Sequence, residues 1–289
     1  MEANQQNIKT RLSQEVVTCS LNKDELHRLV QLLQERANTA AEHEVAKFEQ
    51  RQQTDEEYAA NIQTLSESFS LRVTVVGANG QELYGTIDEV FNSPNFPEQV
   101  KSFYVNSDAI LKAAHNYYPR NSFEVFLDFS KPEVFDFSFL PSQRTPNESN
   151  FIVQGYEATW ANGVFNEIRN FIKEKSAPLY FIHKHSIYDI LLWILGFPFA
   201  FWVAYRCSGW IDVELKDLSV FVRNALYIYV AVAALVIFRI IFHYMRWIFP
   251  ILEYRASTNK AIAHRALLAA LGIGIFGSFL YDLIKLIFQ

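Results

Sequence analysis

The chain has 289 residues, half of them hydrophobic and 15% aromatic, with 26 Lys and Arg against 31 Asp and Glu for a net charge of −5. That length accommodates one soluble domain plus a membrane unit, and the mild acidity gives no electrostatic case for nucleic acid as a partner. Two cysteines, Cys19 and Cys207, exclude a disulfide framework and a C-x-x-C zinc site.

Charge concentrates in residues 1 to about 185, and Leu, Ile, Phe, Ala and Val dominate the remainder. Residues 1–20 are polar and lack an apolar h-region, so a disordered leader is expected rather than a cleavable signal peptide. A helical segment should occupy 21–68. Asn22 with Glu25 three positions on is a capping-box start. Leu26, Leu29, Val30 and Leu33 follow at helical spacing, and the helix is expected to reach about Gln50. The stretch 38–53 has few large apolar residues beyond Val45 and Phe48, so it should project into solvent or rest on a partner. A second helix is expected over Glu56–Ser66.

From Phe69 the apolar period becomes two, opening an α+β domain over 69–178. Phe69, Leu71, Val73 and Val75 alternate with polar residues, and Asn79-Gly80 gives a hairpin signal with the return strand over Gln81–Thr86. Strands are expected at Val100–Asn106, Phe123–Phe129, around Val134–Ser138, and at Phe151–Gly155. Short and long helices are expected at Asp108–Tyr117 and Trp160–Ile172. With no strict βαβ alternation, the order predicts a mainly antiparallel sheet with flanking helices.

The region 187–289 reads as an all-α transmembrane unit of about three helices, spans 187–205, 220–242 and 266–288, each near the roughly 20 residues that cross a bilayer. Pro198 within the first is tolerated where neighbours re-satisfy the freed carbonyl. From the end of span two to the start of span three come five cations, Arg239, Arg246, Arg255, Lys260 and Arg265, against three around the first connection, Arg206, Lys216 and Arg223. This bias puts the amino-terminal domain and the 243–265 connection in the cytoplasm. A bacterial inner membrane is the expected location. Lys184, Arg239, Arg246 and Trp247 read as membrane-interface residues, with Arg239 snorkelling to the headgroups. Ala270, Gly274, Gly277 and Ser278 in span three form a small-residue stripe suited to close helix packing, within the chain or between copies.

No G-x-G-x-x-G, Walker, H-E-x-x-H, G-x-S-x-G or kinase signature occurs. His183, His185 and Asp189 have metal-like spacing but sit at a membrane entrance, where such residues are ordinary headgroup neighbours, and no cofactor or metal is expected. Asp128, Glu133 and Asp136 cluster at a turn as solvated carboxylates. Tyr117, Tyr118 and Arg120 around Pro119 are the candidate ligand-binding residues, for an anion or a stacking ring. Asn147 heads a glycosylation sequon that a cytosolic location leaves unused.

The leading expectation is a membrane-anchored, non-enzymatic module whose cytosolic domain binds a partner protein or small ligand, with the lipid bilayer and self-association as further partners. One alternative is an oligomeric, signal-activated effector that perturbs or perforates the membrane, as in bacterial defence. The other is a membrane-proximal enzyme acting on a lipid or nucleotide.

Overall fold

In a computed structural model of the chain, the structure describes residues 8–135, 144–177, 179–256, 261–271 and 273–274. They divide into two units, one within 1–130, 147–177 and 251–258, the other within 131–146, 178–250 and 259–289.

The first unit is built on a six-stranded antiparallel sheet. Its strands are β1 (Thr10–Glu15), β3 (Arg72–Gly77), β4 (Glu82–Thr86), β5 (Val100–Asn106), β6 (Asn121–Asp128) and β7 (Asn150–Gly155), in the order β1-β7-β6-β5-β3-β4. The expected α+β architecture is therefore present. Alternation does the sorting: Val73, Val75, Phe103, Val105, Phe123, Val125, Leu127, Phe151 and Val153 are buried, while Thr74, Tyr104, Glu124, Phe126 and Ile152 point to the other, half-exposed face. Helices α1 (Lys23–Val45) and α5 (Ala158–Glu174) cover the buried face. The β3–β4 hairpin turns at Asn79-Gly80, where Gly80 adopts φ +83°, a conformation glycine takes without a Cβ clash.

Helix α1 opens with the capping box foreseen at Asn22 and Glu25, both reciprocal hydrogen bonds being made. It ends at Val45, short of Gln50. Its second half does not stand free in solvent. Ala37, Ala40, Ala41 and Glu44 are buried, because alanines let the helix lie close to its neighbours where larger side chains would hold it off. Helix α2 (Asp55–Glu67) is amphipathic only weakly and buries no residue. Two short helices, α3 (Ile87–Phe91) and α4 (Ala109–His115), follow β4 and β5.

The expectation of a disordered 1–20 leader is corrected for its described residues, 8–20. Thr10–Glu15 is β1, paired along its length with β7, and Cys19–Leu21 is β2. A polar strand escapes a hydrophobicity reading because its register comes from backbone hydrogen bonds and partner availability. Strand β2 pairs in parallel with β8 (Leu252–Tyr254). Its Ser20 N–H donates to the Lys175 carbonyl at 2.7 Å, and Thr18 Oγ1 accepts from the Ala177 N–H at 3.0 Å. Part of the presumed 243–265 connection is thus a strand of the first unit. The strand expected at 134–138 falls mostly outside the described residues.

The second unit contains a helical hairpin. One arm runs from His185 to Glu214 and the other, α8, from Val220 to Ile248; both are long and apolar enough to cross a membrane. The first arm comprises α6 (His185–Leu191), a π-helical turn (Leu192–Gly196) and α7 (Phe197–Glu214). Pro198 explains the turn: its ring lacks an N–H and crowds the carbonyl four residues back, and a widened turn relieves both. The antiparallel pairing is visible in three contacts. Tyr188 and Phe242 rings lie 5.0 Å apart, a Cβ on Gly196 would come within 3.1 Å of Phe238, and the Tyr227 hydroxyl donates to Asp212 at 2.5 Å. Both arms exceed the expected spans 187–205 and 220–242. Of span 266–288, residues 266–271 belong to a shorter apolar helix, Ala261–Leu271, 273–274 are also described, and the rest, with Gly277 and Ser278, lies outside the described residues.

Candidate functional site

The carboxyl end of α1, the start of β6 and the β7–α5 junction bring a polar cluster together in the first unit. Glu44 is its centre. It lies on the same stripe as Leu26, Leu33, Ala37 and Ala41, so the periodicity that buries those apolar residues buries this carboxylate too, at 4% exposure. A carboxylate there needs donors. The Tyr117 hydroxyl supplies one at 2.6 Å, and the Arg120 backbone N–H supplies the other. Asn116 in the left-handed conformation (φ 48°) ends α4 and turns the chain so that Tyr117 and Arg120 reach Glu44.

Beside it, Glu157 at the amino terminus of α5 accepts from Lys47 Nζ at 3.0 Å and has its other oxygen 2.9 Å from His43 Nδ1. The Lys47 hydrogen bond is the main reason that the Glu157 carboxyl titrates below the usual range. Burial, reinforced by the hydrogen bond to Glu44, pushes the Tyr117 phenol up to about 12, so it stays a protonated donor at neutral pH. The Arg120 guanidinium lies 5.1 Å over the Tyr156 ring, and Lys112 lies 5.7 Å over Tyr118.

The three residues proposed from sequence for ligand binding therefore take separate partners: Tyr117 turns inward to Glu44, Arg120 stacks on Tyr156, and Tyr118 stands 70% exposed. Sequence reasoning missed Glu44, His43, Lys47 and Glu157. Glu44 was legible as a charge standing in register with the buried stripe of α1. The others depend on a contact between residues 110 positions apart in the chain, for which there is no local signal.

Chemically, both carboxylates of the cluster have donors or cations beside them, while Arg120 Nε and Asn121 Oδ1 are buried without a hydrogen-bond partner. A serine–histidine contact among the described residues of this unit, Ser68 Oγ to His115 Nε2 at 3.1 Å, is wired in the wrong sense for a nucleophile, because Ser68 donates its proton to the Thr64 carbonyl at 2.7 Å. A cavity of about 410 Å³ lies between the β3–β4 turn and the segment Asn95–Gln99, lined by Asn79, Gln81, Asn95, Phe96 and Gln99. Asn147 Nδ2 donates to both Glu15 Oε1 and the Val16 carbonyl, so the sequon amide holds β1 in place. Among the described residues no group of three or more His, Cys, Asp and Glu is arranged to hold a metal.

The second unit carries its own polar collar at the end of the hairpin where α6 begins and α8 ends. His183, 3% exposed, links the two. Its Nε2 lies 2.6 Å from the Phe249 carbonyl, which can only accept, so Nε2 bears the proton and Nδ1 accepts from Thr145 Oγ1 at 2.9 Å. Burial drives its pKa down to about 4. Arg246 Nε donates to the Ile182 carbonyl at 3.0 Å, and Arg265 donates twice to the Ile248 carbonyl at the end of α8, where a helix leaves acceptors unused. The guanidinium of Arg239 lies 5.3 Å over Tyr188, and Lys131 and Lys184 lie 4.7 and 5.5 Å over Trp247 and Tyr180. Of the interface residues named from sequence, Lys184 is exposed, Trp247 is partly buried, and Arg239 and Arg246 turn inward at 7% and 2% exposure. Gly274 has open space around it, with nothing within 4 Å of a Cβ placed there; the close helix approach is at Gly196.

Comparison with known proteins finds no matching family model, no matching curated protein and no matching solved structure.

Proposed function

We propose that the protein is a membrane-anchored, non-enzymatic binding module. The helical hairpin sits in the bilayer, and the α+β unit, in the cytosol, engages a partner protein or small ligand. The observation that carries this reading is the exposure of large apolar side chains along both arms of the hairpin. Trp193, Phe201, Phe221 and Ile228 are between 67% and 81% exposed, and only 17% of each arm's most apolar window is buried. The core helix of a soluble protein would hide these side chains; a surface this apolar needs lipid or protein around it.

The two arms and the shorter helix Ala261–Leu271 together support a multi-pass unit of about three spans, with the basic end of the hairpin in the cytoplasm, as in a bacterial inner membrane. The exposed ring of Tyr118 and the Arg120–Tyr156 stack offer the partner-facing groups of the α+β unit.

The test uses the full chain expressed in a bacterial host. It should stay with the membrane pellet through alkaline carbonate extraction, and a partner should co-purify with it from detergent and be lost in Tyr118→Ala/Arg120→Ala. Release of the chain by carbonate would overturn the anchor, and an unchanged set of co-purifying molecules would overturn the binding surface.

A further inference from the structure

We infer that the basic end of the helical hairpin is a docking surface for anionic phospholipid headgroups. The inference deepens the membrane-anchor reading and rests on it. The two ends of the hairpin differ in charge. Among the described residues of 131–135, 144–146, 179–190, 239–250 and 261–265, six Lys and Arg stand against Glu133 and Asp189, and contacts among them place Lys131, Lys184, Arg246 and Arg265 together at the end formed by His185 and Ile248. The opposite turn, 206–223, is balanced: Arg206, Lys216 and Arg223 against Asp212, Glu214 and Asp217.

The basic end also has the form of a headgroup site. Arg246 and Arg265 are committed inward, to backbone carbonyls. Lys131 and Lys184 lie at the surface, their ammonium nitrogens 4.7 and 5.5 Å over the rings of Trp247 and Tyr180. Aromatic rings of this kind settle at headgroup depth, so each ammonium is presented where lipid phosphates lie. The adjoining Phe181, 45% exposed, adds an apolar contact towards the acyl chains. Anionic lipid matches this combination better than a zwitterionic headgroup, whose own cation opposes the field. A juxtamembrane Lys or Arg contributes roughly a fivefold preference for an anionic surface.

The experiment places the full chain in nanodiscs of phosphatidylcholine mixed with phosphatidylglycerol and counts the lipids that remain bound on ejection into a native mass spectrometer. Phosphatidylglycerol should be retained in preference to its share of the bilayer. Lys131→Gln/Lys184→Gln should lower that preference by at least about fivefold, and Arg206→Gln/Lys216→Gln at the opposite end should leave it unchanged. Retention in proportion to the bilayer composition, or equal loss in both double variants, would overturn the proposal. Failure of the chain to enter nanodiscs at all would instead defeat the anchor reading, so the two failures are distinguishable.

Discussion

Glu25 and Arg255 stand 230 positions apart in the chain, and their carboxylate and guanidinium meet at 2.5 Å. Lys175 approaches the other Glu25 oxygen at 3.1 Å. Three separate stretches of the first unit are therefore joined at one carboxylate, at the amino terminus of α1 where the helix dipole also favours negative charge.

That junction sets an acid dependence. Burial alone would raise the Glu25 pKa, but hydrogen bonds from Arg255, from the Asn22 backbone and from Lys175 bring it from 4.5 down to about 2. The unfolded chain takes up the proton first, so the contribution is complete above pH 4.5 and is lost as pH falls from 4.5 towards 2. Arg255 is half exposed, so solvent screening limits the effect to about 1 kcal/mol. Glu25→Gln should lower the urea midpoint at pH 7 and flatten its fall between pH 4.5 and pH 2, which chemical denaturation at a series of pH values would check.

Cys19 lies next to this junction and is fully buried. Burial, with Glu25 adding to it, pushes its thiol up to about 12. At pH 8 the folded protein should resist alkylation at Cys19, because the thiolate is the reacting species. Peptide mapping after iodoacetamide treatment should show modification at Cys19 rising only as denaturant opens the β2–β8 pair.

Removing the Glu44 carboxylate strands its donors. Glu44→Ala should destabilise the first unit by about 2–3 kcal/mol, since the Arg120 N–H loses its acceptor along with the Tyr117 hydroxyl. Tyr117→Phe leaves the buried carboxylate with the Arg120 N–H as its donor and should cost less, about 1–2 kcal/mol. Urea unfolding of the two variants would rank them, and equal losses would place the stabilisation in the Tyr117–Glu44 hydrogen bond alone.

His183 makes the second unit acid-sensitive in a different window. Its pKa falls from 6.5 to about 4 on folding, through burial, against the hydrogen bond to Phe249 and with the Arg246 charge adding to the depression. The unfolded state binds the proton between these values, so stability is complete above pH 6.5 and declines as pH drops to 4, by roughly 3 kcal/mol. Thermal unfolding in detergent should shift downward across that range, and His183→Gln should remove the slope.

The two glycine sites of the helical unit separate cleanly. A Cβ at Gly196 would lie 2.9 Å from Leu192 Cδ1 and 3.1 Å from Phe238 Cδ1, so Gly196→Val should force the arms apart and cost about 1–3 kcal/mol through overpacking. Gly274→Leu meets open space and should leave the hairpin's thermal transition in detergent unchanged.

Much of the sheet was legible because half-buried antiparallel strands alternate, and Phe69–Val75 and Phe123–Phe129 do so plainly. The Asn79-Gly80 turn and the Asn22–Glu25 cap were equally readable, since their chemistry is local. What escaped was held by distant partners. Thr10–Glu15 is a strand because β7 offers a free edge, and its polar residues suit an edge position. Leu252–Tyr254 reads as a loop after Pro250 and becomes a strand only beside β2. At the candidate site, Tyr117 and Arg120 were singled out for their chemistry, but their convergence on Glu44 needed the fold. Arg239 shows the same limit: a cation near a span end looks bound for the headgroups until Tyr188, 51 positions earlier, supplies a ring face.

The pairing of β2 with β8 has a consequence for synthesis. Strand β2 is made early, yet the strand beside it emerges only after both arms of the helical hairpin. At ribosomal speeds of about 5–20 residues per second, the nascent first unit waits on the order of ten seconds between Ala177 and Leu252 with that edge open. Its completion is timed by the emergence of the hairpin, so a chain truncated or stalled within the helices carries an unfinished domain, with Cys19 uncovered and Glu25 lacking Arg255, in a form that quality-control proteases can tell from the finished protein.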